Sequence, residues 1–153
     1  MSGVLTDVQT QAVKLMIGDK YYASVKIIPE QEPGNIPSLI AQALGKVGGI
    51  CAIVATPSCI FRGTDAPGPQ IDPLSLSIDI VEFVAVNRGA KGSQLPCSEV
   101  AEHTAWLLHY PNHAATRSDS YPLIADRMRL VPDKQFLIYR VEFKTVGMFA
   151  GIP

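Results

Sequence analysis

Charge is scarce in this chain: Asp, Glu, Lys and Arg make up 18% of its residues, against about 25% in typical soluble domains. The shortfall predicts that a partner covers part of the surface. Neither sign dominates, since 13 basic residues face 14 acidic ones for a net charge of -1. A surface binding nucleic acid or an anionic membrane needs a basic excess, so neither is expected as a main partner. Cysteine is equally sparse, with Cys51, Cys59 and Cys97 alone. Three irregularly spaced thiols exclude a disulfide scaffold and predict a reducing compartment. The opening MSGVLTDVQT carries Asp7 and lacks a basic region followed by an apolar one, so no signal peptide is expected. No apolar run approaches the roughly 18–20 residues needed to span a bilayer.

Apolar residues account for 47% of the 153 positions, enough for one core in one domain spanning 1–153. The strongest pattern lies at 74–86, LSLSIDIVEFVAV. Leu74, Leu76, Ile78 and Ile80 alternate with Ser75, Ser77 and Asp79, and side chains on a strand point to opposite faces in turn. Beyond Ile80 the second face turns apolar at Val81, Phe83 and Ala85, which predicts a long strand buried on both sides at its far end. Burying the four alternating aliphatic residues contributes roughly 1.5–3 kcal/mol each. This strand is the expected spine of a sheet.

Leu5, Val8, Ala12, Leu15 and Met16 fall at helical spacing, with Thr6 and Asp7 at the start and Gly18 at the end. Residues 21–28 (YYASVKII) read as a strand halted by Pro29, and 31–37 as a turn. A second helix is expected over 37–47, opened by Pro37 and closed by Gly48-Gly49. The short apolar run 50–55 (ICAIVA) reads as a strand buried on both faces. Residues 56–73, dense in proline and glycine, form a long loop or an extended hairpin arm. Residues 87–94 are a polar, glycine-rich loop. Ser98 is the expected cap of a third helix over 98–110 that stops at Pro111, with loop over 112–121. The chain closes with strands at 123–131 and 136–146 around a Pro132-Asp133 turn. The order lacks the βαβα rhythm of a doubly wound fold and predicts an α+β domain, a mixed sheet with helices mainly on one face.

Few residues are spaced for chemistry. Cys97, His103, His109 and His113 are zinc- or iron-ligand types in one region. At about 100° per residue, however, His103 and His109 point apart on a helix, and Pro111 separates His109 from His113. There is no G-x-S-x-G elbow, no phosphate-binding glycine loop and no dinucleotide fingerprint. Cys51, within ICAIVA, reads as a small buried hydrophobe. Asp79 and Glu82 lie on opposite faces of one strand and do not meet over a substrate. On the third helix Val100, Ala101, Thr104, Leu107 and Leu108 share the core arc, while His103, Trp106 and Tyr110 share another. Tryptophan and tyrosine off the core are enriched where proteins meet. The wide core arc of globular helices leaves Trp106 equally able to fill the edge of its own core.

The segment ICAIVATPSCIFRGTDAPGPQIDPLSLSIDIVEFVAVNRG, followed by a helix and the closing FLIYRVEFKT, resembles the tail-terminator (tail completion) proteins of contractile-tailed, Mu-like bacteriophages. In that family a strand leads through a polar arm to a long alternating strand ending near Asn-Arg-Gly, then a helix and an aromatic strand. The resemblance spans 5–146 and rests on this order. At Asp19-Lys20-Tyr21-Tyr22 the chain departs from the short proline-containing turn of many relatives. What it implies is a structural virion protein with no enzymatic role and no cofactor, made in a bacterial host's cytoplasm. Such a protein forms a ring, typically of six subunits, at the tail–neck junction. The ring stops polymerisation of tube and sheath and joins the tail to a neck or head-completion protein. Rings need heterologous interfaces, one patch matching a different patch on the neighbour. Arg62, Asp65, Arg88 and Lys91 on the two loops are the candidate rim contacts, and His103, Trp106 and Tyr110 the candidate aromatic patch. The alternatives are another neck or baseplate adaptor, or a small metal-dependent enzyme using Cys97, His103, His109 and His113.

Overall fold

The alternating stretch forms the central strand of the sheet, β4 (Gln70–Glu82), thirteen residues long. The structure, a computed structural model, describes residues 3–30, 48–63, 69–145 and 148–149. On one edge β4 pairs antiparallel with β2 (Ile50–Val54), and on the other with β6 (Leu137–Thr145). Strand β1 (Lys26–Pro29) adds parallel to β2, and β5 (Ile124–Val131) adds antiparallel to β6. Strands β3 (Ser58–Arg62) and β7 (Met148–Phe149) flank the first residues of β4. The described residues thus give a seven-stranded mixed sheet in the order β1-β2-β4-β6-β5. With its helices this is a single α+β domain.

Two helices cover one face. From α1 (Val4–Ile17), Val8, Ala12 and Met16 are buried, one turn apart along a single stripe. From α3 (Cys97–Leu108), Cys97, Val100, Ala101, Thr104 and Leu108 are buried. They meet Leu74, Leu76, Ile78 and Ile80 of β4 with Val141 and Phe143 of β6. β2 is buried along its whole length because Ile50, Ala52 and Val54 join this core. Cys51 and Ile53 join a smaller cluster on the opposite face with Ile28 and Val81. Burial pushes the Cys51 thiol up to about 12, which fits a packing role.

β4 ends at Glu82, four residues short of the expected 86, because its neighbours run out together: Ile50 and Leu137 both oppose Glu82. A short helix, α2 (Val84–Asn87), follows. The Glu82 carboxylate is fully buried and accepts from Asn87 Nδ2 at 2.7 Å, Arg88 Nε at 3.0 Å and Cys97 N at 3.1 Å. The last of these corrects the expected cap: α3 begins at Cys97 after Pro96, and Ser98 makes no cap hydrogen bond. Glu82 meets the helix's unsatisfied N–H from a strand fifteen residues earlier. Burial alone would raise the Glu82 carboxyl, but hydrogen bonds from Arg88, Asn87 and Cys97 outweigh it and hold the group below the usual range.

At its other end β4 starts at Gln70, inside the stretch expected as loop or arm. Residues 58–62 and 70–75 pair as a hairpin arm, while 64–68, including Asp65, lie outside the described residues. Pro73 is tolerated in this strand because the register shifts opposite it, between Cys59 and Phe61. The expected strand at 21–28 is shorter than predicted. Lys20–Ser24 is a 3-10 turn, since Asp19 caps it by accepting from Tyr21 N at 3.0 Å, and β1 starts only at Lys26. The third helix stops at Leu108, and a 3-10 turn, Tyr110–His113, takes up Pro111 in its first turn, where a missing N–H costs nothing. The helix expected at 37–47 lies outside the described residues. No helix among the described residues is long and apolar enough to cross a membrane.

Because the Glu82 carboxyl titrates lower in the folded chain than in the unfolded one, it contributes stability at neutral pH that is lost as pH falls through the carboxylate range. Glu82→Gln is expected to destabilise the protein by about 1.5–3 kcal/mol at pH 7, the range for hydrogen bonds to a charged group. The difference from wild type should shrink towards pH 4. Urea unfolding at both pH values checks this, and a constant difference would contradict it.

Candidate functional site

The outer surface of α3 carries the aromatic residues that face neither the sheet nor the core. Thr104 and Val100 turn inward, which sends His103 to one flank and Trp106 outward, with Trp106 54% exposed. Trp106 therefore lies off the core and does not fill its edge. His103 is fixed by two neighbours. Its ring stacks on Tyr21 at 3.8 Å between centroids and 16° between planes, and its Nε2 donates to Asp19 Oδ2 at 2.8 Å. Trp106 follows at 6.0 Å from His103, and His113 meets the Trp106 ring edge-on at 4.6 Å while its Nε2 donates to Trp106 O at 3.0 Å. The result is a continuous row, Tyr21, His103, Trp106, His113.

The 3-10 turn after Asp19 makes this row possible. It buries Tyr22, whose hydroxyl bonds Thr104 Oγ1 at 2.7 Å, and leaves Tyr21 outward on His103. Burial, the largest influence on the Asp19 carboxyl, acts upward. Hydrogen bonds from Tyr21 N–H and His103, with the charge of His103, outweigh it and lower the group. Burial raises the Tyr21 hydroxyl, and so do the nearby carboxylates Glu99, Asp19 and Glu102.

The other sequence candidates scatter. Tyr110 leaves the arc because the helix ends before it: its N–H donates to Leu123 O at 2.9 Å and its hydroxyl to Arg117 O at 3.2 Å. Arg88 is taken up by Glu82, half-exposed beside a buried carboxylate. Lys91 is exposed on its loop. Arg62 closes β3, whereas Asp65 lies outside the described residues.

The four metal-ligand types are not brought together. Cys97 is buried and its thiol donates to Ile80 O at 3.1 Å; burial pushes it up to about 12, so at neutral pH it is a thiol and not the thiolate that binds metals. His103 turns to Asp19, His109 Nδ1 accepts from Ala125 N at 2.9 Å, and His113 turns to Trp106. Among the described residues no three His, Cys, Asp or Glu side chains are grouped to hold a metal ion.

Three features of the surface were not foreseen. Tyr21 was hidden in an expected strand, its only signal being the doubled tyrosine beside a capping aspartate. On the arm, Ile60 and Phe61 are 65% and 57% exposed. On the edge strand β5, Met128 and Leu130 are 38% and 53% exposed. No family model matches the chain, and no curated protein matches it.

Asp19→Ala removes the turn's cap and the partner of His103 together. A loss of about 1 kcal/mol is expected, as for other N-caps. The near-ultraviolet circular dichroism of the stacked aromatics should weaken while the far-ultraviolet signal stays unchanged.

Proposed function

We propose that the chain is a structural virion protein of the tail-terminator kind: a ring of subunits at the head-proximal end of a phage tail. It ends polymerisation of tube and sheath there and offers a surface to the neck. The observation that carries the reading is the placement of exposed apolar side chains. The domain closes a core of its own on the helix face, yet large apolar residues remain exposed on the arm (Ile60, Phe61), on the helix surface (Trp106) and on the edge strand (Met128, Leu130). Scattered single apolar residues need no explanation, but the pairs on the arm and the edge strand, with Trp106 in its aromatic row, suit contact with neighbours on several sides. The order of elements that resembles the tail terminators supports the same reading, as does the low overall charge.

The reading is tested by mass and by morphology. Sedimentation of the purified chain should reveal a species near six times the 16.5 kDa subunit, alone or bound to tails. Loss of the protein should leave tails of uncontrolled length. Tails of normal length with a disrupted neck or baseplate would assign it to an adaptor position on the same particle.

Trp106→Ala probes the helix surface. If Trp106 anchors a subunit contact, its removal should cost about 2 kcal/mol or more of association. Sedimentation would then detect assembly only at roughly 30-fold higher concentration. The unfolding midpoint of the monomer should not move; a large drop in that midpoint would return Trp106 to the core.

A further inference from the structure

Glu99, Glu102 and Trp106 stand at positions i, i+3 and i+7 of α3 and so form one line along its outer surface. All three are exposed, and neither glutamate is ion-paired among the described residues. Both act on the Tyr21 hydroxyl, which places the carboxylates beside the aromatic row. This surface is apolar at its centre and acidic along its side.

The edge strand β5 has the opposite character. Residues 126–130 form an unbroken exposed run, and β5 ends the strand order with no further strand beyond it among the described residues. Met128 and Leu130 point to one face. Arg127 and Arg129 point to the other, opposite Glu142 and Arg140. Arg127 is held by Glu142 at 2.6 Å, but Arg129 reaches the same carboxylate only at 3.7 Å and has guanidinium nitrogens to spare.

We infer that the Glu99–Glu102–Trp106 line of one copy docks across the free edge of β5 of a second copy, Trp106 covering Leu130 on one side of that edge and the carboxylates reaching Arg129 on the other. The charges select this pairing over a symmetric contact of two α3 surfaces, which would set glutamates against glutamates. On β5 the exposed carboxylate Asp126 is paired with Lys144, which leaves Arg129 for the incoming glutamates. A patch meeting a different patch is a heterologous contact, the kind that closes rings. The inference rests on the ring reading and names the surfaces that would build it.

A charge-reversal cycle on the full chain tests it. Glu102→Arg and Arg129→Glu are each expected to raise the concentration needed for assembly by about tenfold or more. The combined E102R/R129E variant should recover most of the loss, since the contact is restored with its signs exchanged. Sedimentation velocity reads assembly and far-ultraviolet circular dichroism reads folding. Should a reversed variant fold poorly, Glu102→Gln and Arg129→Gln remove one charge each and should give smaller shifts of the same sign. If wild type assembles but the single variants assemble equally well, or the combined variant is no better than the sum of its parts, the two surfaces do not meet and the ring reading stands without them. If wild type stays monomeric up to about 1 mM, the ring reading falls and this contact with it.

Discussion

A buried carboxylate holds the two layers of this domain together. Taking Glu82 out of water is costly, and the cost is offset only because three donors converge on it: the amide of Asn87 at the end of α2, the guanidinium of the next residue, Arg88, and the first N–H of α3. Arg88 is half in solvent, so its share is screened; the Asn87 amide and the Cys97 N–H are buried and count for more. The same turn is crossed closely by the entry to β2. A side chain on Gly49 would meet Asn87 N at 2.5 Å, and Gly49 has a φ of +74° that suits glycine. Strand end, helix start and strand entry are thereby fixed at one point, which sets how α3 lies over the sheet and hence where His103 and Trp106 emerge.

β4 is longer than the helices that cover it, and the excess has consequences. Its first residues pair with β3, an arm whose Ile60 and Phe61 are exposed, while Ile71 and Leu74 of the same stretch stay buried in the main core. On the face away from the helices, the scarce charges of the chain gather into a ladder. Arg140 grips Asp79 through two bonds of 2.8 and 3.0 Å, Arg127 meets Glu142, and Lys144 meets Asp126 at 3.1 Å. Cross-strand ion pairs of this sort keep that face wet and specify register.

Much of the site was legible as residue type and little of it as arrangement. Helical spacing put the lone tryptophan off the arc claimed by Val100, Ala101, Thr104 and Leu108 but left it equally able to fill the edge of the core, and only its exposure in the fold decides between the two. Tyr110 was placed with it by the same spacing and is not there, since the helix ends at Leu108 and spacing beyond a helix end means nothing. Tyr21 and His113 take its place beside the row, supplied by turns that sequence periodicity does not register. The four cysteine and histidine candidates sit close in sequence, but each is turned to its own partner by a different local bond.

Local pattern determined which residues are buried and in which element: the alternation from Leu74 to Ile80, the stripes of α1 and α3 and the closing hairpin are written in the chain as repeats of two or near four, and β2 as an unbroken apolar run. Such repeats are local, so they carry over into structure without knowing what lies opposite. Where elements stop was decided by tertiary contact. β4 stops where both neighbours stop, α3 starts where a distant carboxylate waits, and the 3-10 turn replaces a strand because Asp19 meets His103 and Tyr22 meets Thr104 across eighty-odd residues. Hydrogen-bonding groups at an element's end must be satisfied by whatever the fold brings near, and that is a property of the assembled chain alone.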